Sequence, residues 1–388
     1  MRTYVLGAGA SFPIYPLGGG LFQDIDDHIT QCGPFIHRFN YKTDWPSLKQ
    51  WLATNSNPLL RQAYSNGNIE QIFTVLDLAE GLVRESLTNI LSASKKDEAA
   101  VKAAEVDHGS LKNEIGEYRR QRKILLWAME AFFLDRHEDD SKNFNSGEWN
   151  DLRELAVRLQ AGDVVITFNY DSTVERVLLD LGKWSPSDGY GAEIVLQENA
   201  YDDTPVALPP SAVKVLHLHG AVGWYRKPIF SPSFNPNDGP GGATPRTSLS
   251  RAPSETAIAL DPLLLRGLGI HHVDACLPSR PPSEPQIMLH PSFLKVYGGE
   301  SRPNPIFSRL WKDALNALKR ADEVTIIGYS LPSADSAAWT LLHTGCKRGK
   351  TEVVNPSKSV LTNQYVHLIE NPTSLTPMSM RDWLDSKP

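Results

Sequence analysis

Five short apolar runs in this chain each end on a glycine, an asparagine or a histidine, and that punctuation constrains the fold more than any other feature of the sequence. Tyr4-Val5-Leu6 leads into Gly7-Ala8-Gly9-Ala10-Ser11, and Val164-Val165-Ile166-Thr167-Phe168 into Asn169-Tyr170-Asp171. Val213-Lys214-Val215-Leu216-His217-Leu218 stops at His219-Gly220, Val324-Thr325-Ile326-Ile327 at Gly328-Tyr329-Ser330, and Glu352-Val353-Val354 at Asn355-Pro356. Runs of this kind read as buried strands of a parallel sheet. Helical patterns separate them. Trp149, Leu152, Leu155, Ala156 and Leu159 mark one helical face, and Phe307, Leu310, Trp311, Ala314 and Leu318 another, with a further helix after Asp335. Ser172 and Glu175 have capping-box spacing, which predicts a helix from Thr173 to Leu181, ended by Gly182. The alternation predicts an α/β fold: a Rossmann-like parallel sheet with helices on both faces. Ligands of such sheets bind outside the carboxyl ends of the strands. The five motifs are therefore expected along one edge.

Between about Asp44 and Asp140 the pattern changes. Ile69, Ile72, Phe73, Leu76, Val83, Leu87, Ile90 and Leu91 recur at helical spacing, as do Leu111, Ile115, Tyr118, Leu125, Met129 and Phe132. The run from Lys95 to Val106, rich in Lys, Glu and Ala, reads as helical and solvent-facing. Residues 44–140 are thus expected to be a large helical insertion, with 1–43 and 141–388 forming one discontinuous nucleotide-binding domain. From Pro228 to Pro305 the chain is dense in Pro, Gly, Ser and Asn. Such composition opposes regular structure and predicts a long loop region (228–305) within that domain.

Bulk properties narrow the classes of function. The chain has 388 residues, enough for one large α/β domain with an inserted unit. Lys and Arg number 39 against 45 Asp and Glu, a formal charge of -6, which argues against direct nucleic-acid binding. Cys32, Cys276 and Cys346 lie far apart and form no C-x-x-C pair, so neither a zinc module nor a disulfide framework is readable. That cysteine usage, with no signal peptide and no apolar run of about 18 residues, predicts a cytoplasmic protein without a membrane span. A Walker A motif is missing, so the chain is not expected to be an ATPase.

Each motif has a functional and a plain structural reading. Gly7 permits a tight bend and Gly9 lets backbone approach a diphosphate, although Phe12 stands where the third glycine of G-x-G-x-x-G belongs; a mere strand-to-helix turn explains the same residues. Asn169 can donate to a ribose hydroxyl or place a water while Asp171 orients a neighbour, or the pair can simply cap a turn. His219, at a strand end before a glycine, is a candidate general base. His217, two residues earlier, is either its partner or a packed side chain. A metal reading of the two histidines lacks a nearby Cys or carboxylate in sequence, and no metal is expected.

Taken in order, these motifs resemble the SIR2-like domain, a bacterial relative of the sirtuins. The matches anchor residues 4–24 and about 160–356. The resemblance implies an NAD-binding fold in which Gly7, Ala8, Gly9 and Ser11 form the phosphate-side loop. It implies that Asn169 and Asp171 stand at the nicotinamide ribose, that His219 is the catalytic histidine, that Gly328 and Ser330 flank the dinucleotide, and that Asn355 lies near the adenine-side ribose. Two departures, the missing zinc cysteines and the segment Phe12-Pro13-Ile14-Tyr15-Pro16 after Ser11, point away from protein deacylation. The expected activity is an NAD glycohydrolase, NAD being the substrate, of the kind that depletes NAD in anti-phage defence. A sensor that binds NAD or ADP-ribose without turnover and a deacylase or ADP-ribosyltransferase are the alternatives. The resemblance further implies a homo-oligomer and a partner such as a HerA-type ATPase, an Argonaute-type protein or a nucleotide-signal sensor; because unrestrained NAD destruction would harm the host, gating by assembly or by a partner is expected.

Overall fold

The computed structural model of the chain describes residues 1–15, 20–31, 41–93, 98–195, 210–226, 257–260, 264, 268, 286–288, 305–332, 335–346, 350–369, 372 and 374–387. The five apolar runs, joined by one strand not read from the sequence, form a six-stranded sheet: β1 (Arg2–Leu6), β2 (Val164–Thr167), β4 (Lys214–His217), β8 (Glu323–Ile327), β9 (Thr351–Val354) and the added β10 (Ser374–Thr376). Their order across the sheet is β10-β9-β8-β1-β2-β4, and every pairing is parallel. Val5, Leu6, Val165, Ile166, Ile326, Ile327 and Val353 are sealed from solvent, as expected of strands covered on both faces.

From β1 the chain steps to β2 and then β4 in one direction across the sheet, and from β8 to β9 and β10 in the other. Parallel crossovers are right-handed, so the two directions put their connecting helices on opposite faces. The packing agrees. On one side α7 (Asn150–Arg158) packs against α8 (Thr173–Asp180), and the C-terminal α11 (Met380–Ser386) also joins α7. On the other, α9 (Pro305–Arg320) packs against α10 (Ser336–Gly345). The fold is an α/β, Rossmann-like one.

The register supplies the fact that matters most for the site. Leu6 pairs with both Thr167 and Ile327, Thr167 with His217, Ile327 with Val354, and Val354 with Thr376. All six strands therefore end in one row. Gly7, Asn169, His219, Gly328 and Asn355 lie one or two residues beyond it.

Between a four-residue helix α1 (Ala8–Ser11) and α7 stand α2 (Leu21–Gln31), α3 (Asp44–Thr54), α4 (Pro58–Ser65), α5 (Ile69–Ala93) and α6 (Glu98–Lys142). The last has 45 residues, about 67 Å of helix at 1.5 Å per residue. It runs unbroken through most of the Lys95–Val106 segment; residues 94–97, and the side chains up to His108, lie outside the described residues. α5 and α6 pack on each other, with Ile72, Phe73 and Leu76 of α5 and Leu125 of α6 sealed in the core, and Tyr118 of α6 meets Trp51 of α3 edge-on. Glu80 is buried in this pair with Arg84, Arg119 and Arg122 around it. Burial alone raises a carboxylate, but the hydrogen bond from Arg119 and the charges of Arg122 and Arg84 hold Glu80 below its ordinary range.

Two expectations are corrected. The Ser172–Glu175 capping box does not form: Ser172 precedes the helix without a side-chain cap, Asp171 Oδ1 accepts from the Thr173 N–H, and Glu175 is drawn inward to His217. The region 228–305 also holds regular structure. Its two short strands, β6 (Ala257–Leu260) and β7 (Gln286–Met288), join β3 (Glu193–Val195) and β5 (Gly220–Arg226), which precede the region, in a second sheet ordered β3-β6-β5-β7. A loop-like overall composition does not prevent runs such as Ala-Ile-Ala-Leu from pairing; most other residues of that region lie outside the described residues. Among the described residues no helix is long and apolar enough to cross a membrane.

Candidate active site

A cavity of about 160 Å³, partly open to solvent, sits on the row of strand ends. Ala8, Ser11, Asn169, Asp171, His219 and Ser330 line it, so six of the ten residues proposed from sequence come to one wall. Two hydrogen-bonded groups make up that wall.

The first is built on Asp171, whose Oδ1 accepts from Thr173 Oγ1 at 2.6 Å, from Ser11 Oγ at 3.1 Å and from the Thr173 N–H at 3.2 Å. Burial pushes the Asp171 carboxyl up, and these donors oppose the shift. Asn169 Nδ2 donates to Gly7 O at 3.1 Å and to Ser11 Oγ at 3.0 Å. A carbonyl only accepts, which fixes the orientation of the amide. Both amide hydrogens are thus engaged within the wall. That leaves Oδ1 as the acceptor atom of the Asn169 amide, whether toward a water or a ribose hydroxyl.

The second group is built on His219. Its Nδ1 donates to Phe168 O at 3.1 Å, and its Nε2 lies 3.1 Å from Oδ2 of Asp335. Tyr329 donates its hydroxyl to the same Oδ2 at 3.0 Å. Phe168 stacks on Tyr329 with ring centroids 4.3 Å apart and meets His219 edge-on at 5.1 Å. Burial first, then neighbouring carboxylates, pushes the Tyr170 and Tyr329 phenols well above their ordinary value. Both stay neutral.

The remaining proposed residues support this wall from behind. A Cβ at Gly7 would lie 2.5 Å from Tyr329 Cα, and one at Gly9 2.9 Å from Gly328 Cα. Gly328 itself has φ of +63°, the left-handed region that glycine tolerates. These glycines let the first and fourth loops touch. Gly9 is thus needed for loop-to-loop contact. Asn355 is not at the cavity. Its Nδ2 donates to Tyr329 O at 3.3 Å and its Oδ1 accepts from the Ser357 N–H at 2.9 Å, so its amide holds the Tyr329 loop in place.

His217 and His219 do not act together. The His217 side chain is fully enclosed by Tyr190 and Trp224, hydrogen-bonded to Glu175 and to Asn169 O. Burial alone lowers a histidine, but the charge and hydrogen bond of Glu175 outweigh it, and His217 is raised. Each histidine therefore has a carboxylate partner that sequence proximity did not reveal. Among the described residues no group of three His, Cys, Asp or Glu is placed to hold a metal ion; Cys32 and Cys276 lie outside them.

Residues not proposed from sequence complete the cavity: Tyr15, Leu21, Ile69, Glu70, Phe133, Phe168, Tyr170, Tyr329, Pro332 and Asp335. Ile69, Glu70 and Phe133 come from α5 and α6, so the helical insertion forms part of the site. Asp335 carried one signal, its place as the cap of a helix, where its Oδ1 accepts from the Ala338 N–H. Glu70 carried none. No protein-family model matches this chain, and no curated protein matches it.

Proposed function

We propose that the chain is an NAD glycohydrolase, cleaving the nicotinamide–ribose bond of NAD to give nicotinamide and ADP-ribose. The observation that carries this reading is the chemical character of the cavity. Glu70, Asp171 and Asp335 line it beside the rings of Tyr15, Phe133, Phe168, Tyr170 and Tyr329, and no Lys or Arg is among the described lining residues. Carboxylates and aromatic faces favour a cation. The nicotinamide ring of NAD is a cationic pyridinium, and positive charge moves onto the ribose as the bond breaks. Fixed negative charge where that charge develops speeds the step.

In this reading Asn169 Oδ1 accepts from the attacking water or a ribose hydroxyl, Asp171 keeps Asn169 and Ser11 in place, and His219 stands at the proton-transfer position. Control by self-assembly or by a partner acting on α5 and α6 belongs to the same proposal, because those helices contribute to the wall.

The test is incubation of the full chain with NAD, followed by chromatography for nicotinamide and ADP-ribose. Asn169→Ala and His219→Ala each should lower the rate about 100-fold or more while the protein stays folded. Undiminished cleavage by both folded variants would exclude this site. Binding of NAD without any product would instead make the cavity a sensor.

A further inference from the structure

His219 is not a free base in the arrangement described. Its Nδ1 faces the Phe168 carbonyl, an obligate acceptor, and so carries a proton. Its Nε2 is 3.1 Å from a carboxylate oxygen of Asp335. A bare imidazole nitrogen and an ionised carboxylate are both acceptors, and they meet at that distance favourably only with a proton between them. The two side chains, both buried, thus form one unit around one proton. The carboxylate is fixed from other sides, since Tyr329 donates to Oδ2 and the Ala338 N–H to Oδ1. Asp335 also faces the cavity directly.

We propose that Asp335 is the proton partner of His219, and that the pair, not the histidine alone, takes up the proton released when the substrate is hydrolysed. This rests on the glycohydrolase reading. Hydrolysis of NAD releases one proton overall. As the C1′–N bond breaks, its electron pair passes to the nicotinamide nitrogen, and nicotinamide leaves neutral. The water oxygen bonds to C1′, and one of its protons passes to the pair in its proton-free form, neutral His219 beside ionised Asp335. That proton comes to rest between Nε2 and Oδ2, the arrangement described here, and then leaves to solvent. Asp335 acts through His219 and is a positioning residue.

Asp335→Asn tests this, because an amide keeps the size and an accepting oxygen but cannot hold the proton. The expected result is a ~100- to 10,000-fold lower kcat, with NAD affinity, measured by calorimetry, changed far less, by no more than about tenfold. The acid limb of the rate profile should also move to lower pH, since a neutral neighbour no longer favours protonated His219. The other titratable groups facing the pair are Tyr329 on the β8 loop, Tyr170 and Asp171 on the β2 loop and Glu70 on α5. Asp335→Glu should regain part of the rate.

Should Asp335→Asn fail to fold, Tyr329→Phe reads the same coupling. Loss of its donor makes the carboxylate more basic, and the acid limb should then move to higher pH. A folded Asp335→Asn protein, or failing that Tyr329→Phe, with the wild-type rate and the wild-type acid limb overturns the proposal. A wild-type chain that leaves NAD intact overturns the glycohydrolase reading as well, and is seen before any variant is made.

Discussion

His217 and His219 are two residues apart, both buried, and each faces one carboxylate, yet they stand in different regions. Around His217, Glu175, Tyr190 and Trp224 close a sealed pocket. Around His219, Asp335, Tyr329 and Tyr170 leave one side open to the cavity. The difference arises at the end of β4. His217 is its last residue and belongs to the sheet, whereas His219 lies in the turn before β5. The same chemistry is thus structural in one place and available to a ligand in the other, depending on whether a strand or a turn carries it.

Several substitutions can break that contrast. The largest expected effect is on rate, with His219→Ala removing most NAD cleavage and lowering stability less than His217→Ala, because Asp335 keeps the Tyr329 and Ala338 donors and borders the cavity. His217→Ala should do the reverse. It strands Glu175 as an unpaired buried carboxylate and should cost about 3–5 kcal/mol of stability in denaturant unfolding. Replacing both His217 and Glu175 by Leu should recover much of that loss, because the pair's desolvation cost disappears with it. Unaltered stability in His217→Ala would mean that the sealed pocket is not the structural one.

The sealed pair also predicts a pH dependence. His217 has a folded-state value raised above its unfolded one, about 6.5 for a free histidine. Its contribution is therefore fully present below the unfolded value and is lost as pH rises through the folded one. Melting temperatures of wild type should fall on the alkaline side of that range, and the fall should vanish in the double Leu variant. The smallest effect is expected at the rim of the cavity. Glu70→Gln removes one of three carboxylates and should raise KM for NAD by roughly two- to tenfold with little change in kcat, as fits a charge contribution of about 1 kcal/mol near solvent. A large fall in kcat would place Glu70 among the groups that act on the reacting bond.

The sheet was legible because its strands are short β-branched runs whose ends carry Gly, Asn or His, and burial on both faces leaves such runs few alternatives. The same logic brought Ala8, Ser11, Asn169, Asp171, His219 and Ser330 to one edge. What escaped was long-range. Asp335 reads locally as a helix cap, Glu70 and Phe133 as residues of amphipathic helices, and nothing near them in sequence says that they face a turn after β2 or β4. Glycine was ambiguous for a related reason. Gly9 is required by contact with Gly328, a residue more than three hundred positions away, and a motif cannot show what lies opposite it. The Ser172–Glu175 spacing misled because His217 offered Glu175 a stronger, buried partner than the helix end did.

The shared row of strand ends turns the sheet into a ruler. Moving one strand by a single residue displaces its loop by about 3.3 Å and turns every side chain of that strand to the opposite face. Groups that act on a bond must hold position within about 0.5 Å, so one such step is several times the tolerance. Beyond the row the loops also hold one another, Asn169 on Gly7 O, Gly9 on Gly328 O and Asn355 on Tyr329 O, so a shift of one strand is felt by its neighbours. A single deleted residue within β4, far from any ligand, should therefore cost as much of the site as removing His219 itself.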